Sequence, residues 1–243
     1  MNFKQFLQEE AAKAALVLDE KQLAGFERYF QLLVEWNEKM NLTAITQADE
    51  VALKHMIDSL TCLDPDVFLP GASVIDVGTG AGFPGLPLKI YREDLQLTLL
   101  DSLQKRLTFL ATVLAEVGID DVRLVHHRAE DGARDKKLRE MFQVAVSRAV
   151  ARLPVLVELC LPFVKPGGYF VALKGAQYKE EIEEAQYAIS LLGGKLEKVQ
   201  PVQLPGLEDI RAVLYIRKIK KTAATYPRKA GLPEKKPLLG EGS

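Results

Sequence analysis

Apolar residues between Leu23 and Met40 recur mostly at helical spacing: Leu23, Phe26, Phe30, Leu33, Val34 and Trp36 fall along one stripe and predict an amphipathic helix. A second helix is expected to begin after Thr46, whose hydroxyl can cap it, with Asp49 three residues on as a weaker form of the reciprocal capping pair. It would carry Val51, Met56, Ile57 and Leu60, and Pro65 and Pro70-Gly71 then close the helical part. From Ser73 the pattern changes to short apolar runs separated by longer amphipathic ones. Strands are predicted near 73–77, 96–100, 122–125, 143–147, 169–174, 195–199 and 212–217. Helices fall between them, clearest at 103–117, 151–163 and 178–192, and Pro166-Gly167-Gly168 is the turn into the fifth strand. Such alternation predicts an α/β fold with a mostly parallel sheet covered on both faces, and a ligand outside the carboxyl ends of the strands. The expected organisation is a helical N-terminal region over 1–70, a core over 71–219 and a basic, proline-containing tail over 220–243.

The most informative segment follows the first strand. From Val74 to Gly85 it reads Val-Ile-Asp-Val-Gly-Thr-Gly-Ala-Gly-Phe-Pro-Gly, an apolar run ending in a carboxylate and then a glycine-rich turn. Residues 80–85 match the G-x-G-x-x-G of dinucleotide sites, a weak signal alone. Asp76 would repel an anion at that strand end and attract a cation, and Pro84 and Pro87 lack the N–H groups that a pyrophosphate would use. S-adenosylmethionine, cationic and free of phosphates, therefore fits better than NAD. Asp101, ending the second predicted strand, is placed to accept ribose hydroxyls, which supports an adenosine without choosing between the two cofactors. The plain alternative is that these glycines serve only a tight connection between strand and helix.

Composition adds boundaries. With 243 residues, 48% of them hydrophobic, the chain can build one large domain plus a modest extension. A mean hydropathy of -0.01 and no long apolar run speak against a membrane span, and the first ten residues lack the apolar stretch of a signal peptide, so a cytoplasmic protein is expected. Cys62 and Cys160 stand alone in apolar surroundings and His126-His127 has no companion ligands, so no metal site and no disulfide are expected. Net charge is -1 overall but uneven: residues 1–70 carry 6 basic against 12 acidic side chains, and residues 211–236 carry 9 basic against the single Glu234. That basic stretch points either to a polyanion partner or to a solvated tail, and its prolines predict an extended segment. A monomer is the default expectation.

A series of motifs then resembles one family. Trp36-Asn37, Asn41-Leu42-Thr43, His55 with Asp58-Ser59, the glycine loop, Leu100-Asp101-Ser102, Arg128-Ala129-Glu130, Ser147-Arg148-Ala149, Ala172-Leu173-Lys174-Gly175 and Tyr226-Pro227-Arg228-Lys229 occur in the order found in the RsmG, or GidB, family. Those are bacterial small-subunit ribosomal RNA guanine-N7 methyltransferases, and the resemblance runs from about residue 22 to the basic end. It implies a Rossmann-like S-adenosylmethionine-dependent methyltransferase fold with a seven-stranded, mostly parallel sheet, its seventh strand antiparallel, behind a small helical N-terminal extension. It also implies a target guanine in the 530 loop of 16S rRNA, presented as RNA or as a small-subunit particle.

Carried over by position, Gly78, Gly80 and Phe83 would hold the methionine end of the cofactor, with Asp76 among the residues that bind it. Asp101 and Ser102 would bind the ribose, Ala129-Glu130 would line the adenine, and Arg148 would stand at the mouth. Asn41, His55, Arg128, Arg148 and Arg211 match polar positions on the RNA side. Guanine N7 has a free lone pair and no proton to lose, so alignment rather than a general base is required, and no acid/base dyad is conspicuous in the sequence. An exocyclic-amine methyltransferase would be expected to show an Asn/Asp-Pro-Pro-aromatic element after the fourth strand, where this chain has Ser147-Arg148-Ala149-Val150. Charge developing on the base disfavours a very close guanidinium, so a phosphate or carboxylate is the expected partner of Arg148. Plainer roles remain open: Arg148 paired to Asp76 or Glu130, Arg128 paired to Glu130, His55 packed, Asn41 in a turn, Trp36 in the core. So do a methyltransferase acting on a small molecule or protein, and a non-catalytic ribosome assembly factor that binds cofactor and RNA.

Overall fold

A computed structural model describes residues 2–208 and 210–240. Two helices open the chain, α1 (Phe3–Lys13) and α2 (Glu20–Met40), each started by a reciprocal capping pair, Asn2 with Gln5 and Asp19 with Gln22. Asn41 ends α2 in the left-handed conformation, φ 48°. A short α3 (Ala48–Val51) continues without a break into a π-wound stretch, Ala52–Ile57, and a last turn, α4 (Asp58–Leu60). The expected Thr46 cap is not used; Gln47 holds the cap position and makes no side-chain cap bond.

The core then runs β1 (Ser73–Val77), α5 (Gly85–Tyr91), β2 (Gln96–Asp101), α6 (Gln104–Val117), β3 (Arg123–His126), α7 (Ala129–Gly132), β4 (Phe142–Arg148), α8 (Leu153–Cys160), β5 (Val164–Lys174), α9 (Tyr178–Leu191), β6 (Gly194–Val202) and β7 (Arg211–Lys218). A last turn of helix, α10 (Leu232–Lys235), follows. The seven strands form one sheet in the order β3-β2-β1-β4-β5-β7-β6, with β7 antiparallel to both neighbours and every other pair parallel. All seven predicted strands are present, but β5 starts at Val164, five residues early, so Pro166-Gly167-Gly168, expected as the turn into it, lie within the strand where its pairing with β4 shifts register. Helices α1, α5, α7 and α10 are not among the predicted elements, being short or, for α1, lying before the apolar stripe of α2.

Alternation along the strands splits the core in two. Val74, Leu97, Leu99, Val144, Val146, Val171 and Tyr215 face one cluster with α1 to α6, while Ile75, Val77, Leu100, Ala145, Phe170 and Ile216 face a second with α8 and α9. The N-terminal helices are part of the first cluster rather than an appendage. Phe26, Tyr29 and Leu33 of α2 are fully buried there, each contributing about 1.5–3 kcal/mol by removal from water. No described helix is long and apolar enough to cross a membrane.

Two consequences of this topology place a site. Strands β1 and β4 are neighbours although β2 and β3 intervene in sequence, so the order reverses there and a crevice opens outside their carboxyl ends. Because β7 runs antiparallel, its first residue, Arg211, reaches that same edge, one register position beyond the Ala212 that pairs with Lys174.

Candidate active site

The glycine loop after β1 is held from below by Asp76. This carboxylate is fully buried, accepting from the Thr79 hydroxyl at 2.7 Å and from Gly85 N at 2.9 Å through Oδ2, while Oδ1 has no protein partner. Burial pushes its carboxyl up to about 6. A Cβ on Gly85 would lie 2.8 Å from that same Oδ2, so only glycine lets the first turn of α5 come down onto the carboxylate. The N–H that a pyrophosphate would need at the helix start is therefore committed to Asp76, which supports the sequence argument against a dinucleotide. Asp76 itself does not line the cleft: it fastens the loop, in place of the expected direct contact to the ligand. From the other side, the buried Tyr29 hydroxyl of α2 donates to the Ala81 carbonyl and its ring stacks on Phe83 at 5.3 Å.

Above the loop lies a cleft of about 950 Å³. Gly78, Gly80 and Phe83 line it, as do Asp101, Ser102, Arg128, Ala129, Glu130, His55 and Arg148. Gly80 has φ +60° and its missing Cβ would meet nothing nearer than the Gly78 carbonyl at 4.0 Å, so the backbone there is bare to whatever occupies the cleft. Asp101, at the end of β2, is 1% exposed and accepts from Gly80 N and Leu103 N, both at 2.9 Å, with Arg106 at 3.3 Å. Glu130 accepts from Gly231 N at 2.8 Å, so its carboxylate is engaged by the C-terminal segment rather than by Arg128. Arg128 stands exposed at the start of α7.

A second cleft of about 450 Å³ adjoins the first, and His55, Arg148 and Ala149 belong to both. Arg148, at the end of β4, donates to Asp58 Oδ2 at 2.8 Å and to the Lys54 carbonyl at 3.0 Å, approaches His55 Nδ1 at 3.3 Å, and lies over the Phe83 ring at 5.0 Å. Arg211 reaches the other oxygen, Asp58 Oδ1, at 2.8 Å. One carboxylate thus ties β4 to β7, and both to the π-wound turn that presents Lys54 and His55. Burial and the Arg148 charge lower His55 to about 4, so it is neutral at physiological pH; Nδ1 lies 3.1 Å from the Lys54 carbonyl, to which only a protonated Nδ1 can donate, and Nε2 lies 2.9 Å from the Thr43 hydroxyl. Ala149, directly after Arg148, is left-handed at φ 56°, a conformation a non-glycine residue adopts at a cost of about 1–2 kcal/mol.

Comparison with known proteins accounts for this arrangement. A family model described as rRNA small subunit methyltransferase G matches residues 22–208. The chain is 50% identical over 98% of its length to the whole of "Ribosomal RNA small subunit methyltransferase G" of Alkaliphilus metalliredigens. It is 49% identical over 96% of its length to 97% of the protein of that name in Desulforamulus reducens. The chain belongs to this family. Among solved structures, a mutant 16S rRNA (adenine(1408)-N(1))-methyltransferase with cosubstrate SAM from Catenulisporales acidiphilia aligns with TM-score 0.51 at 17% identity, over 66% of this chain and 94% of that one. That likeness concerns the fold.

Set against the expectations from family positions, the structure brings His55, Arg148 and Arg211 together, and gathers Gly78, Gly80, Phe83, Asp101, Ser102, Ala129 and Glu130 around one cleft. Asn41 is not among the lining residues; it is an exposed helix cap, while its neighbours Leu42 and Thr43 line the first cleft. Trp36 packs against Phe109 at 5.7 Å, as a core residue does. Asp58 is the residue that sequence reasoning missed as a site member. It stands three positions after His55 in the same helical run, and a carboxylate one turn from a candidate site residue was the available signal. The partner of Arg148 is Asp58, not Asp76 or Glu130.

Proposed function

We propose that this chain transfers a methyl group from S-adenosylmethionine to N7 of a guanine in the 530 loop of 16S rRNA. The observation that carries the reading is the pair of contiguous clefts that meet at His55, Arg148 and Ala149, one with the features of a nucleoside site and one lined by cations. The first has room for a cofactor of that size, a bare backbone at Gly80 and a carboxylate at Asp101. Bound there, the cofactor supplies an electrophilic methyl group on a sulfonium. Gly78, Gly80 and Phe83 hold its methionine end. Asp101 and Ser102 take the ribose, whose hydroxyls displace Arg106, the longest of the contacts to that carboxylate. Ala129 and Glu130 border the adenine.

The second cleft receives the target nucleotide. Lys54, Lys174, Arg148 and Arg211 line it; Glu50, Glu181 and Asp58 pair with them, so the four cations meet three carboxylates and RNA phosphate would take up the small remaining positive charge. Arg148 acts by position: clamped to Asp58 and the Lys54 carbonyl, it closes the wall between the clefts, and its charge is balanced as the base becomes cationic. A neutral His55 adds no further repulsion. No group has to remove a proton, because N7 carries none, so the residues of the junction contribute alignment and exclusion of water, worth up to about 7–11 kcal/mol for well-oriented reactants.

Nucleoside mass spectrometry of 16S rRNA from a strain lacking this chain, with and without complementation, tests the reading. Loss of 7-methylguanosine at the 530 loop and its return on complementation are expected, and an unchanged modification in the deletion strain overturns it. Purified chain with small subunits from that strain reads the same step directly.

A further inference from the structure

The basic C-terminal segment, expected to extend from the core, is folded against it. Arg139 donates to the carbonyls of Tyr226, Thr222 and Ala223 at 2.8, 2.9 and 3.2 Å, and Arg134 to that of Pro227 at 2.6 Å. Arg228 grips Glu158 of α8, with its backbone N at 2.7 Å and Nη2 at 2.6 Å. Glu158 is 0% exposed, so this carboxylate in an apolar helix has been taken out of water to receive one arginine from the tail. Three residues on, Gly231 in the left-handed conformation donates its N–H to Glu130. Beyond it Pro233, Glu234, Pro237 and Leu239 line the large cleft beside Ala129 and Glu130, while Lys229, Lys235 and Lys236 remain exposed. The segment itself lies past residue 208, where the match to the family model ends, whereas Glu130, Arg134, Arg139 and Glu158, which hold it, lie within the match.

We propose that residues 226–239 form the wall of the cofactor cleft at its adenine end, and that Glu158, Arg228 and Glu130 are positioning residues for cofactor binding because they fix where that wall stands. The buried pair sets the register of the strap, and the Glu130 bond turns it so that its apolar residues, not its lysines, face the cleft. Cofactor and strap then stabilise each other, since a ligand that binds only the closed arrangement favours it by linkage. The inference rests on the cofactor reading alone and not on the identity of the methylated base, and its test reads binding, so failure of the guanine assignment leaves it standing.

Two measurements on the full chain test it. In amide hydrogen exchange, saturating S-adenosylmethionine or S-adenosylhomocysteine should slow exchange at Gly231 and at the other amides of 229–239. Titration calorimetry of the Arg228→Met variant should show S-adenosylhomocysteine bound about tenfold more weakly or worse, because one wall of a largely enclosing pocket is lost. The Arg228→Lys variant should recover part of that affinity. Turnover at saturating cofactor should change far less than the KM for cofactor, the pattern of a lost uniform binding contact. If Arg228→Met does not fold, Gly231→Pro leaves the buried pair in place but removes the N–H donated to Glu130 and, fixed at a φ of about −65° where the chain has +77°, turns the strap away, so the same weakening is expected. Exchange that ignores the cofactor overturns the proposal, as does full affinity in a folded variant whose segment exchanges freely.

Discussion

Replacing Asp58 by asparagine tests the junction most directly. Its two oxygens each accept from one guanidinium at 2.8 Å, and the three side chains are 9%, 13% and 19% exposed for Asp58, Arg148 and Arg211. Removing one member of so enclosed a pair leaves the other charge desolvated and unmatched, a cost of about 3–5 kcal/mol. Asparagine keeps one acceptor oxygen for one arginine, which places Asp58→Asn near about 3 kcal/mol and Asp58→Ala nearer about 5. For a chain of this length that corresponds to a fall in melting temperature of roughly 6–12 °C for the asparagine variant. Urea denaturation with a check that the slope is unchanged gives the stability, and methylation of small subunits gives kcat/KM. Both should fall, because Arg148 loses the contact that holds it between the clefts. A double-mutant cycle over Asp58→Ala and Arg211→Ala should return a coupling energy of about 1.5 kcal/mol or more. An Asp58→Asn enzyme within about 1 kcal/mol of the parent, with unaltered kcat/KM, would refute the argument.

Opposed titrations make a second prediction. Asp76 titrates near 6 in the folded chain, above an ordinary carboxyl, so its contribution is present at low pH and is lost, by about 3 kcal/mol, as pH rises from 4 through 6. His55 titrates near 4, below its ordinary value, so its contribution of about 3 kcal/mol is present above pH 6.5 and is lost as pH falls through 4. The two nearly cancel: His55→Gln should expose a stability that declines from pH 4.5 to 6.5 and Asp76→Asn one that rises, whereas curves parallel to the parent in urea titrations would count against both assignments. At Gly80, φ +60° and a nearest neighbour no closer than 4.0 Å predict that Gly80→Val folds, at a strain of about 1–2 kcal/mol, yet blocks the cleft; undiminished cofactor binding by calorimetry would contradict the placement. Tyr29→Phe leaves the buried Ala81 carbonyl unpaired and should cost about 1–3 kcal/mol with weaker cofactor binding, read by thermal melts and calorimetry; a neutral effect on both would show that α2 does not hold the loop.

Local pattern determined much of this protein. The period of two in Val74 to Val77 and Leu97 to Leu100, the stripe of α2 and the glycines after β1 are properties of neighbouring residues, and they sufficed for the strands, the mostly parallel sheet and a cleft beside Asp101. The motif series added the family and its named positions, although residue identity alone could not separate Asp76, which fastens the loop from beneath, from Asp101, which borders the cleft. What only the tertiary structure decided depends on partners far apart in the chain. Asp58 meets Arg148 across 90 residues, and Glu158 meets Arg228 across 70. Each of these two buried carboxylates is matched by a particular cation, and which cation arrives is set by how the chain packs. Antiparallel β7 delivers Arg211 to the edge where β4 ends, and the arginines at 134 and 139 draw a basic segment whose prolines predicted it extended back onto the core. Periodicity carries information over a few residues, while the pairing of desolvated charges is settled by the packing that brings them together.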